Sequence, residues 1–207
     1  MTLIYLVRHA QCIGNVEKRL TGYHDYELTE EGKIQAQNLA EYLRDVKFDC
    51  IFSSPFKRTV NTVRPIAEMQ GLEIETYRDL SEMNFGSYDG YTWEEVDKLD
   101  KTILHNSQKE IMGIPKQEKT EHVQERMMSV IKNLAEENLN KTILICSHGI
   151  SIEAFLRGIS KLPFNVDSKK YSQINTSINI ICYNNENGQF EIKELNKTEH
   201  LLAIKTM

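Results

Sequence analysis

Three short apolar runs, at residues 3–7, 50–52 and 142–146, are separated by stretches whose apolar residues return every three or four positions. That alternation predicts buried strands between helices, the pattern of a largely parallel sheet covered on both faces. After Thr29 the helical stripe is Ala36, Leu39, Ala40 and Leu43, with Glu30 and Glu31 near the positive end of the helix dipole. Ser54 before Pro55 predicts an N-cap and first helical position, in a helix that buries Val60, Val63 and Ala67. A third helix, at about 119–137, places Val123, Met127, Val130, Ile131 and Leu134 on one side, and a fourth begins just after Gly149. Residues 177–183 and 189–195 flank a turn whose Asn187-Gly188 pair suits positive φ, so they are expected to close the chain as a hairpin. Residues 84–118 fit neither period and are expected to form a lid-like excursion within a single domain spanning 1–207, while 160–176 read as loop.

With 40% hydrophobic and 27% charged residues, a chain of 207 residues has the composition of one globular domain with a packed core. A net charge of −5, without basic runs, gives no electrostatic basis for binding nucleic acid or an anionic membrane. The opening residues lack a cationic leader, and their apolar run is too short for a signal peptide or a membrane span, so a cytoplasmic protein is expected. Cys12, Cys50, Cys146 and Cys182 are widely spaced, which suggests neither a disulfide framework nor a zinc site.

The polar residues gather at strand ends. Arg8 and His9 close the first apolar run, Arg58 lies in the first turn after the second, and His148 follows the third. In an open parallel sheet these ends share one edge, where ligands bind. Two arginines suit a phosphate, because guanidinium groups bind anionic oxygens through paired charge-assisted hydrogen bonds. The same charges repel a divalent cation and argue against a metal site built from the two histidines and Glu82. They also penalise imidazolium, which keeps His9 neutral and able to attack phosphorus.

Several segments resemble motifs of the histidine phosphatase superfamily, also called phosphoglycerate mutase-like. They are LVRHAQCIGN at 6–15 with Arg19, Thr21-Gly22 and LTEEG at 28–32; SSPFKR at 53–58; LSEMNFG at 80–86 with Asp89-Gly90; and SHG at 147–149. Further likeness continues through NTSI at 175–178 and residues 196–201, so it spans almost the whole chain. The resemblance implies a three-layer α/β/α sandwich with a mostly parallel sheet, and a phosphohistidine mechanism needing no metal or other cofactor. In that pattern His9 is the nucleophile and Glu82 the proton donor and general base. Arg8, Arg58 and His148 hold the phosphoryl group, and Asn15, Thr21, Gly22 and Gly149 are further substrate contacts. The expected partner is a small phosphorylated substrate, and a homodimer is compatible with the family.

Ala10 and Gln11 depart from the usual glycine and glutamate of the opening motif, and Cys12 replaces a small hydroxyl residue. Near the arginines, Cys12 is a candidate oxidisable thiolate, and Gln11 a change in pocket charge. Residues 84–95 carry acidic residues where cofactor-dependent mutases carry a basic insertion, so hydrolysis is favoured over phosphoryl return to a sugar acid. Phosphoglycerate mutase-type transfer and a non-catalytic phospholigand-binding domain are the alternatives. Tyr23, Tyr88 and Trp93 are candidates to line substrate access, whereas Lys98 and Lys109 read as solvated.

Overall fold

The computed structural model describes residues 1–99, 114, 116–164, 166 and 169–201. Lys109 and much of the 84–118 excursion therefore lie outside the described residues. Six strands form one mixed sheet: β1 (Thr2–Arg8), β2 (Cys50–Ser53), β3 (Ile74–Thr76), β4 (Thr142–Ser147), β5 (Ile178–Asn184) and β6 (Gln189–Lys197). Their order is β3-β2-β4-β1-β5-β6. β1, β2, β3 and β4 run parallel, and the β5–β6 hairpin adds antiparallel to β1. Gly188 adopts φ 67° at the hairpin turn, as the Asn-Gly pair predicts.

Side-chain alternation along the central strands builds the layers. Ile4, Leu6, Ile143 and Ile145 face one core with α5 (Thr120–Glu137) and α6 (Gly149–Ile159). Val7, Leu144 and Cys146 face the other, with α2 (Glu30–Tyr42) and α3 (Lys57–Gln70). A four-residue turn, α1 (Ile13–Val16), follows β1, and α4 (Trp93–Leu99) lies in the excursion.

Thr29 caps α2, its hydroxyl accepting from the Gly32 N–H at 3.0 Å, with Glu30 and Glu31 in the first turn. The start of α3 differs from expectation: Phe56 is its N-cap and Lys57 its first residue. Ser54 is drawn away because its hydroxyl bonds His148 at 2.8 Å. Val60 is only half buried, and Ile66 fills that face with Val63 and Ala67. β3 has one apolar residue in three positions and an exposed pattern, so no apolar run announced it.

Candidate active site

The carboxyl ends of β1, β2 and β4 converge as expected. β1 and β4 pair in register from Leu3 opposite Thr142 to Arg8 opposite Ser147, which sets His9 beside His148 with ring centroids 5.3 Å apart. His9, nearly buried, borders a cavity of about 240 Å³. Its Nδ1 lies 2.7 Å from the Ala10 carbonyl oxygen, which only accepts, so Nδ1 carries the proton and Nε2 keeps a free lone pair. Burial is the foremost cause holding the His9 pKa well below 6.5, and the charges of Arg8 and Arg58 add to it. The arginines are thus the second reason for neutrality, not the first.

Arg8 spans the cavity wall. One Nη donates to the Gln173 carbonyl at 2.6 Å, while its buried Nε has no hydrogen-bond partner among the described residues. An unpaired guanidinium donor out of water is costly, and an anionic oxygen in the cavity would satisfy it. Asn15 is oriented by its own carbonyl oxygen, which accepts from Cys12 N–H at 3.1 Å, Cys12 Sγ at 3.3 Å and Asn175 Nδ2 at 3.2 Å. That leaves the Asn15 amide nitrogen as its outward donor beside the cavity. Cys12 is fully buried and its pKa is raised by that burial, so it is a neutral thiol serving Asn15 rather than a reactive thiolate. The Gln11 side chain turns from the cavity to accept from the Thr29 hydroxyl at 2.8 Å, so its lost charge is spent at a helix cap.

Arg58 and His148 stand behind the cavity, fully buried and outside its lining. Arg58 donates to the carbonyls of Gly22 at 2.7 Å, His24 at 3.0 Å and Thr21 at 3.3 Å. Its Nε donates to His148 Nδ1 at 3.3 Å, so His148 carries its proton on Nε2, which points to Ser54. Burial, followed by the charge of Arg58, keeps the His148 pKa well below 6.5. The 21–24 turn is gripped from its other side too: Asp89 accepts from the N–H groups of Gly22, Tyr23 and His24 at 2.8, 2.6 and 3.0 Å. A Cβ on Gly22 would lie 2.6 Å from the Met83 carbonyl, so this close approach requires glycine.

Glu82, also nearly buried, reaches the cavity with its carboxylate at the start of α6. It accepts from Ile150 N at 3.2 Å, Ser151 N at 3.0 Å and Met83 N at 3.0 Å. The cavity thus brings together Arg8, His9, Asn15, Thr21, Glu82 and Gly149 of the expected set, and leaves Arg58, His148 and Gly22 behind it. Trp93 lines it as expected, but Tyr23 and Tyr88 do not. Phe85 of the 80–86 motif also lines it, as do Glu153 and Gln173, on segments whose polar residues carried no local motif of their own. No group of three or more histidine, cysteine, aspartate or glutamate side chains poised for a metal occurs among the described residues. Nor is any described helix long and apolar enough to cross a membrane.

A sequence model of the histidine phosphatase superfamily (branch 1) matches residues 4–198. An uncharacterized phosphatase, PhoE, of Bacillus subtilis (strain 168) is 29% identical over 201 residues, covering 97% of each chain. The structure of Bacillus stearothermophilus YhfR superposes with a TM-score of 0.91 at 24% identity, over 97% of this chain and 100% of that one. Phosphoserine phosphatase from Entamoeba histolytica, solved in complex with 3-phosphoglyceric acid, gives a TM-score of 0.81 at 27% identity over the same shares.

Proposed function

This chain belongs to the histidine phosphatase superfamily (branch 1), and on that premise we propose that it is a metal-independent phosphomonoesterase acting on a small phosphorylated metabolite. The observation that carries the reading is His9: buried, neutral, protonated on Nδ1 and open on Nε2 at a cavity that also holds Arg8 and Glu82.

Nε2 attacks phosphorus, the ester P–O bond breaks, and Glu82 gives its proton to the departing alkoxide. Water then attacks the phosphohistidine and yields a proton to Glu82 as the P–N bond breaks, releasing inorganic phosphate and neutral His9. The orphan Nε of Arg8, the Asn15 amide and the start of α6 at Gly149 offer donors to the phosphoryl oxygens. Arg58 adds positive potential from behind. It touches the transferring group by exchanging the Thr21 and Gly22 carbonyls for phosphoryl oxygens, which form stronger charge-assisted bonds. A cavity of about 240 Å³, lined in part by Phe85 and Trp93, suits a small metabolite and supports a role for the described part of the 84–118 segment in shaping substrate access. The phosphoserine phosphatase neighbour makes phosphorylated hydroxy acids the first substrates to try.

Hydrolysis of p-nitrophenyl phosphate in EDTA by wild type and His9→Ala tests the reading. Wild type is expected to turn over, and the variant to lose at least about 10³-fold in kcat. Wild-type inactivity across a broad phosphomonoester panel, or full activity in His9→Ala, would overturn it. Phosphoglycerates assayed with and without bisphosphoglycerate separate hydrolysis from mutase-type transfer.

A further inference from the structure

Glu82 sits on main chain that no strand supports. From within a short 3₁₀ turn at Arg78–Leu80, the carbonyls of four consecutive residues, 79–82, are all held by side chains. Ser147 Oγ donates to Leu80 O at 2.7 Å, and Ser151 Oγ to Ser81 O at 2.7 Å. Arg126 of α5 takes Asp79 O at 2.8 Å and Glu82 O at 3.2 Å, and shares Ser81 O at 2.7 Å. One guanidinium therefore grips the chain before and at Glu82.

Arg126 is itself fixed. Glu118 accepts from its Nε at 2.8 Å and from Nη2 at 3.0 Å, in a fork-to-carboxylate pair with both side chains only 9% exposed. Glu118 also accepts from Asn84 N at 3.2 Å, and its own N–H donates to Asn84 O at 2.9 Å. The pair thus ties down both sides of Glu82, from residue 79 to residue 84. Helix α6 meanwhile holds the carboxylate through Ile150 N and Ser151 N. Two neighbouring helices fix the two ends of the same residue, α5 its backbone and α6 its side chain.

Resting on the reading of Glu82 as the proton-transfer group, we propose that Arg126, locked by Glu118, is a positioning residue that aims the Glu82 carboxylate at the leaving oxygen and the attacking water. Arg126 does not line the cavity, so it acts only through Glu82. A lysine cannot replace it: a single ammonium lacks the planar fork needed to serve three carbonyls and a bidentate carboxylate together.

Leaving-group dependence separates positioning from mere stability. An alkyl phosphate needs its departing oxygen protonated, whereas 2,4-dinitrophenolate leaves unaided. In Arg126→Lys, single-turnover phosphorylation by an alkyl phosphate is expected to slow by about 10- to 100-fold, while the dinitrophenolate burst stays within about twofold of wild type. Equal losses on both substrates, or no loss on either, would overturn the proposal. Glu82→Gln is the reference for the premise. If it shows no leaving-group dependence, the reading of Glu82 fails and the positioning role fails with it. If Glu82→Gln shows the dependence and Arg126→Lys does not, only the positioning role is lost. Should Arg126→Lys be too unstable to assay, Glu118→Gln, which frees one side of the fork, is expected to show the same selective loss, and its absence there overturns the proposal.

Discussion

At the scale of single residues, the site depends on which nitrogen of each ring carries the proton and which end of the Asn15 amide is left free, and each choice is made by an unambiguous neighbour. The Ala10 carbonyl sets His9, the Arg58 Nε sets His148, and three donors on Oδ1 set Asn15. The Cys12 thiol is one of those donors and its backbone N–H another, so the side-chain chemistry is replaceable by any small hydrogen-bond donor. Cys12→Ser is expected to keep kcat/KM within about twofold, whereas Cys12→Val, which deletes one net hydrogen bond, raises KM by about two- to fivefold. Steady-state kinetics on p-nitrophenyl phosphate read both. Arg8, His9, Arg58 and His148 were legible in the sequence because each follows a recognisable strand end. Arg126 was not: an arginine on an amphipathic helix reads as a solvated face, and only tertiary contact brings it to residues 79–82.

Among the elements, the least regular segments carry the most polar anchoring. The 21–24 turn has no strand partner, yet Asp89 holds its N–H groups and Arg58 its carbonyls. Asp89→Asn removes the charge that three amides share and leaves a single carbonyl oxygen as acceptor. A loss of about 1–2 kcal/mol is expected in urea unfolding, with KM rising more than kcat falls, because the turn's contribution to the cavity lining is Thr21, a candidate substrate contact. Equal stability in the two proteins would show that the turn is held elsewhere. The elements missed or shifted in the sequence have local physical reasons: β3 buries too little to leave an apolar signature, and Ser54 gives its hydroxyl to His148 instead of capping α3.

For the whole molecule, folding the sheet around neutral histidines has a pH consequence. His9, His148 and His200 are all buried with pKa values below 6.5, burial being the foremost cause in each. His200 lies 2.9 Å from the Thr176 hydroxyl, and Thr176 N–H donates to the carbonyls of Arg8 and His9, so the third ring also supports the strand end that carries His9. Between each depressed folded pKa and the unfolded value, the unfolded chain binds more protons. Stability is therefore complete above about pH 6.5 and falls as pH drops below it, with each ring contributing up to about 1.4 kcal/mol per pH unit. Denaturation midpoints at pH 7.5 and 5.5 measure this, and His200→Asn is expected to reduce the acid-side slope, by at most about one proton. The three-layer architecture itself was readable from alternating apolar runs and helical stripes, because buried parallel strands and amphipathic helices leave those patterns whatever the site contains.

Arg58 is never bare in the resting protein. Its donors rest on the carbonyls of residues 21, 22 and 24, with the Asp25 carboxylate 3.5 Å away, so in the proposed mechanism an arriving dianion trades places with partners already within reach. Such a trade weakens the grip on substrate and on inorganic phosphate alike. In that mechanism it also gives the arginine somewhere to return as the product departs, which would keep strong phosphate binding from becoming a product trap.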